Sequence, residues 1–148
     1  MAPAACRLIS RLYPEVGQDD RLVLMGHGVP AETTPGRDLN GPYRDMNRLF
    51  AEENEKVYMA LVEAEPSIKE ALKWLEADPP ESGDVYLAPF LLVVGDHARN
   101  DMAGDEEESW KNTVERAGYK AVPIMRGLAE NPVIPEIYKE HAKEADKI

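Results

Sequence analysis

Two histidines, one carboxylate and one arginine stand where this chain could do chemistry. His27 ends the apolar run Arg21–Gly26 and lies between Gly26 and Gly28. Glycine on both sides frees the backbone and removes side chains that would crowd an imidazole. His97 lies in the polar stretch Gly95–Met102, beyond the apolar run Val85–Val94. Two neutral imidazoles brought together suit a borderline divalent cation such as cobalt, nickel, iron or zinc, and an imidazole also accepts protons near neutral pH. Glu63, after the run Val57–Val62, occupies the equivalent position and would complete a His, His, carboxylate set. Arg99, two residues past His97, is the cation best placed for an anionic ligand. Each residue also has a plainer reading. His27 can serve a tight turn by capping a helix or bonding a carbonyl. Glu63 and Glu65 can support the helix that follows Pro66, and Arg99 can pair with Asp96 or Asp101.

These residues need elements to position them. The runs Arg21–Gly26, Val57–Val62, Val85–Val94 and Lys120–Met125 read as short buried strands. Pro89 cannot donate to a ladder, so the third strand is expected to end near Ala88, with Pro89–Val94 bending into an apolar loop. Apolar stripes predict helices over 42–54 (Tyr43, Met46, Leu49, Phe50) and 67–77 (Ile68, Ala71, Leu72, Leu75). Two more are expected over 105–117 (Trp110, Val114, Ala117) and about 134–146 (Ile137, Tyr138, His141), and an N-terminal helix over about 3–12. The alternation predicts an α/β fold, with a four-stranded parallel sheet flanked by helices on both faces. Ligands of open α/β sheets bind outside the carboxyl ends of the strands, where His27, Glu63 and His97 would fall.

Other conspicuous residues have structural readings. Asp105–Glu108 imitates a metal cage, but acids in a first helical turn complement the helix dipole, and capping is the preferred reading. His141 is expected on a helix surface. Met25, Met46, Met59 and Met125 are expected in the core. Trp74 and Trp110 are expected to pack, with Trp110 also able to border a ligand.

Composition narrows the function. At 148 residues, against roughly 150 per domain, one domain spanning 1–148 is expected. The 28 acidic residues outweigh 17 basic ones, giving a net charge of −11 and a pI near 4.7. Such a body repels phosphate backbones, which argues against nucleic-acid partners and favours cations at long range. The single Cys6 excludes an internal disulfide and Cys-based zinc motifs. No apolar run approaches the roughly 20 residues that span a bilayer, so no membrane partner is expected. The first residues show no basic start followed by an apolar core, and a cytoplasmic location is expected.

Several segments together resemble the anaerobic sirohydrochlorin cobaltochelatases, class II tetrapyrrole chelatases of cobalamin biosynthesis. They are Met25–Gly28 (Met-Gly-His-Gly), Val62–Ser67, Pro89–Gly104, Ser109–Lys111 (Ser-Trp-Lys), Ala117–Tyr119 and Gly127–Pro132. Pro89–Gly104, followed by the Ser-Trp-Lys, is the most specific. The similarity runs from about Arg21 to His141 and covers the C-terminal half of that family's usual chain. It implies a chelatase-like half with flavodoxin-like three-layer order.

The resemblance assigns His27 and His97 as metal-binding and catalytic residues. It implies that the family's additional carboxylate ligand comes from the other half, leaving Glu63 as a substitute. The family's further histidine after Gly-His-Gly is replaced by Val29–Glu32 (Val-Pro-Ala-Glu), in which Glu32 is a stand-in. The implied reaction inserts a divalent metal, Co2+ first, into sirohydrochlorin or a related tetrapyrrole, with no organic cofactor. Arg99, Gly28 and Phe90 are the substrate-binding candidates, and Arg37 and Arg126 are further cations for an anionic macrocycle. A homodimer or a complementary N-terminal-half chain is expected to complete the cleft. The competing readings are a non-catalytic metal- or tetrapyrrole-binding half-module, an iron or nickel chelatase, and, least favoured, a metal-dependent hydrolase.

Overall fold

The computed structural model describes residues 4–33, 35–91 and 93–145; the side chains of residues 4–7, 31 and 97 lie outside the described set. The four apolar runs form β1 (Arg21–Gly26), β2 (Val57–Leu61), β3 (Asp84–Pro89) and β4 (Lys120–Pro123). They make one parallel sheet in the order β2-β1-β3-β4. All six residues of β1 are buried. A strand with neighbours on both sides and helices on both faces must be apolar throughout, which is why it reads as a continuous run.

Alternate residues of the strands feed two cores. On one face Leu22, Leu24, Met59 and Leu61 pack with Leu12 of α1 (Ala4–Leu12) and Phe50 of α2 (Gly41–Glu52). Val133 and Ile134, which open α5 (Val133–Ala145), pack against the same face, while Tyr138 farther along remains 63% exposed. On the other face Val23, Met25, Val85 and Leu87 meet Leu75 of α3 (Ile68–Ala77) and Trp110 and Val114 of α4 (Trp110–Arg116). The result is the expected three-layer α/β arrangement.

Several expectations are corrected. Pro89 belongs to β3, and the ladder continues past it, since the Phe90 N–H donates to the Met25 carbonyl at 2.8 Å. Successive amides of a strand point to opposite sides, so the amide that Pro89 lacks would face β4, whose pairing ends two residues earlier at Leu87 and Pro123. The acidic run Asp105–Glu108 lies in turns before α4, not in its first turn. Ser109 caps α4 by accepting the Asn112 N–H at 3.2 Å, and the Asn112 side chain donates to the carbonyls of Asp105 and Glu106 at 3.1 and 2.7 Å. A short hydroxyl is the better cap, and the acids are folded back onto it. Met125 is 43% exposed rather than core, because β4 stops at Pro123 and the chain turns outward. The polar stretch Gly95–Met102 contains a single π-helical turn, His97–Met102, in which the Ala103 N–H reaches the Ala98 carbonyl at 3.1 Å.

Both sheet edges are blunted. The Asn47 side chain donates to the Met59 carbonyl at 2.9 Å and accepts the Met59 N–H at 2.7 Å, and the Leu61 N–H is taken by the Pro66 carbonyl at 2.7 Å. On β4 the Lys120 and Ile124 amides bond inward to Gly83 and Leu87. Of the two outward positions between them, Ala121 and Pro123, the second has no N–H to offer. Occupied or missing donors at an edge prevent a further strand from adding.

Candidate active site

The carboxyl ends of β1, β2 and β3 converge through three backbone bonds. The Val62 N–H donates to the Gly26 carbonyl at 3.0 Å, Glu63 to His27 at 3.0 Å, and Phe90 to Met25 at 2.8 Å. His27 therefore stands at the rim of the sheet, with the β2 and β3 ends sewn to either side of it.

Its imidazole is exposed, and Nδ1 lies 2.8 Å from the carbonyl oxygen of Gly28. A carbonyl only accepts, so in the neutral ring Nδ1 carries the proton and Nε2 the lone pair, the nitrogen able to ligate a cation or take a proton. Gly28 makes this turn possible. Its φ is +78°, and a Cβ there would stand 3.1 Å from the Leu61 Cβ. Gly26 is as tightly enclosed: a Cβ would meet Leu61 Cδ2 at 2.9 Å and the Tyr43 ring at 3.0 Å. Glycine at 26 and 28 is thus required by space at both and by backbone angle at 28.

The next segment is held by a residue that sequence reasoning passed over. Asn40 accepts the Val29 N–H at 2.8 Å and donates to the Val29 carbonyl at 2.9 Å. A cavity of about 350 Å³ lies beside this loop, lined by Val29, Pro30, Arg37, Leu39 and Asn40 among others. The available signal was Asn40 directly before Gly41-Pro42, a helix start whose cap has a side chain able to bond elsewhere.

The other expected residues fall as follows. Glu63 brings its backbone to His27, and its side chain is exposed. It does not serve the N-terminus of α3, which is capped by Ser67 and Glu70: the Ser67 N–H and hydroxyl both donate to the Glu70 carboxylate at 2.7 Å. Phe90 is partly buried against the α1–α2 core, and the adjoining loop is fixed where the Leu128 N–H donates to the Leu91 carbonyl at 2.8 Å. Val93 in this loop is 67% exposed, which with Met125 gives the rim an apolar component. His97 opens the π-helical turn, anchored by fully buried Ala98 and Met102; its side chain lies outside the described residues. Arg99 is exposed. Glu32 is exposed in a short 3-10 turn, Ala31–Thr33. Arg126 is corrected: its guanidinium donates to the Leu12 carbonyl and the Glu15 carboxylate, both at 2.8 Å, and is committed to the end of α1. Trp110 is buried and His141 exposed, as packing and surface residues should be.

Among the described residues, no three His, Cys, Asp or Glu side chains form a group able to hold a metal ion. A cavity of about 400 Å³ near Tyr13, Val16, Asp19 and Lys56 lies at the amino end of the sheet, away from His27. Burial pushes the Tyr13 phenol up to about 12, and among the described residues its hydroxyl has no hydrogen-bond partner. No helix of the described residues is long and apolar enough to cross a membrane.

Residues 4–147 match the family described as Cobalt chelatase (CbiK). The chain belongs to that family. It is 33% identical over 132 residues to the sirohydrochlorin cobaltochelatase of Salmonella typhimurium, covering 89% of this chain and 47% of that protein. It is 31% identical over 143 residues to the sirohydrochlorin cobaltochelatase CbiKC of Nitratidesulfovibrio vulgaris, covering 95% of this chain and 47% of that protein. The chain thus spans about half the length of these curated relatives. Within this cobalt chelatase family member, the exposed imidazole of His27 and the β-strand ends around it occupy the edge at which α/β sheets bind ligands.

Proposed function

We propose that this chain supplies a half-site for inserting a divalent cation, Co2+ first, into sirohydrochlorin or a closely related tetrapyrrole. The observation that carries the reading is the His27 ring, tethered through Nδ1 so that Nε2 is left as the lone-pair nitrogen, in a chain of this family. Both relatives are named for cobalt insertion into sirohydrochlorin.

The reaction must hold the cation, expose pyrrole nitrogens and remove two protons as the ion enters the ring. His27 and His97 are proposed to present the ion, and one of them to accept a pyrrole proton. Imidazole ligation without thiolates is weak enough to surrender the ion to four ring nitrogens, which a closed structural zinc site is not. Glu63 is the proposed carboxylate on this chain. Gly28 and Phe90 would border the macrocycle, and Arg99 and Arg37 would meet its carboxylates against the chain's net charge of −11. A second copy or a complementary half would close the cleft. Blunted β2 and β4 edges favour closure by rim or helical contacts over sheet extension. The proposed setting is cytoplasmic.

Cobalt insertion followed by absorbance tests the reading on wild type, His27→Ala and His97→Ala. Both variants are expected to stay folded and lose roughly 100-fold or more in rate, the scale of a lost acid–base group. Wild-type rates in both would remove them from the chemistry. Light scattering on the same samples reads the assembly; full activity from a strict monomer would overturn the shared cleft. The match to only 47% of each relative's length favours a second reading, a binding half-module without turnover. Sirohydrochlorin binding with no cobalt-dependent spectral change would select it.

A further inference from the structure

The Gly28–Val29 peptide group is bonded at both ends. Its carbonyl oxygen, on Gly28, lies 2.8 Å from His27 Nδ1, and its N–H, on Val29, donates to Asn40 Oδ1 at 2.8 Å. The Asn40 side-chain amide then donates to the Val29 carbonyl at 2.9 Å. Asn40 sits at the N-cap of α2, where an Asn oxygen ordinarily accepts an amide of the first turn. It makes no such side-chain cap; the helix start relies instead on the Asn40 carbonyl, which accepts from Tyr43 and Arg44 at 3.2 and 3.4 Å. The Asn40 backbone is itself held, since its N–H donates to Asp38 at 3.0 Å and Asp38 pairs with Arg44. A capping side chain has been diverted eleven residues back along the chain, onto the peptide whose carbonyl meets His27 Nδ1.

We propose that Asn40 is a positioning residue for His27, acting through the Gly28–Val29 peptide to fix the Nδ1–H tautomer and aim Nε2 at the cation. Hydrogen bonds in series polarise one another, so accepting from the Val29 N–H makes the Gly28 carbonyl a better acceptor for His27. Partners of this kind set the tautomer and direction of a ligating imidazole. The consequence for metal insertion rests on the function proposed above; the tautomer itself does not.

Long-range proton–nitrogen NMR of 15N-labelled protein, at a pH where the imidazoles are neutral, reads the tautomer directly. Only three histidines are present, and His27→Gln assigns the signal. Wild type is expected to show His27 as the Nδ1–H form. Asn40→Ala is expected to show a mixture of tautomers and to slow cobalt insertion about tenfold, the lower end for partners of ligating histidines. Asn40→Asp still accepts from the Val29 N–H and is expected to keep the wild-type tautomer. If Asn40→Ala does not fold, Asn40→Ser, still a good cap but too short to span both Val29 groups, takes its place. An unchanged tautomer in the Ala or Ser variant, or a mixture in Asn40→Asp equal to that of Ala, overturns the proposal. Absence of insertion by wild type would sink the chelatase reading instead, and the tautomer comparison would still decide the role of Asn40.

Discussion

The backbone N–H of Glu63 donates to the carbonyl oxygen of His27 at 3.0 Å, directly after the Val62 N–H donates to Gly26 at the same distance. Successive amides of a regular strand point to opposite sides. Two in a row aimed at β1 mean that the pleat has ended and the chain has turned to wrap the rim. The ends of β1 and β2 consequently form one unit, and Glu63 contributes to it through its backbone while its carboxylate faces outward.

That division of labour separates two substitutions. Glu63→Gln keeps the amide and is expected to change stability by less than about 0.5 kcal/mol, as for surface changes generally. Glu63→Pro removes the N–H, leaves the His27 carbonyl without it, and is expected to cost about 1–3 kcal/mol. Urea unfolding of the pair checks this; equal stabilities would show that the bond carries nothing.

Gly28→Ala should be costly for two reasons acting together. The backbone angle of +78° disfavours any side chain, and the new methyl would press on Leu61, which is 1% exposed. A loss of about 1–3 kcal/mol is expected. Thermal unfolding measures it, and tautomer NMR on the same sample should show His27 losing its single form as the Gly28 carbonyl moves.

Asn47→Ala should release the β2 edge. Both backbone groups of Met59 would lose their partner, at an expected cost of about 1–3 kcal/mol. The freed edge should also increase self-association, visible by light scattering as concentration rises. A variant as monodisperse as wild type would show that the edge is protected by other means.

Acid sensitivity should trace to the cap of α3. Bonds from the Ser67 hydroxyl and N–H hold the Glu70 carboxyl below its ordinary value of 4.5. The folded state therefore binds that proton less readily than the unfolded chain. The stabilisation is fully present above about pH 4.5 and disappears as pH falls through the lower folded value. Asp78 behaves the same way, held down by Lys56 and by buried Arg21. Ser67→Ala is expected to cost about 1 kcal/mol at pH 7 and less in acid. Urea midpoints at pH 7 and at about pH 3 test the sign; a penalty that grows in acid would refute it.

The strands and their parallel arrangement were legible because a doubly covered strand has to be apolar at every position, as Arg21–Gly26, Val57–Leu61 and Val85–Ala88 nearly are. The helices were legible from their stripes, though α4 begins five residues later than its acidic prelude suggested. Period alone does not distinguish a capped turn from a helical one. Met125 and Arg126 were misplaced because nothing in their own types reports where β4 ends or which neighbour claims a guanidinium.

At the rim, residue type marked His27 as a candidate beside the plainer reading of a tight turn: glycine on both sides frees a backbone and clears space. What holds that imidazole was decided only in three dimensions. Asn40 lies thirteen residues downstream of His27 and reaches it through a peptide that belongs to neither residue. A hydrogen bond of this kind depends on a carbonyl direction and on where a helix happens to start. Local composition records neither, so only the folded chain could bring Asn40, Val29, Gly28 and His27 into one line.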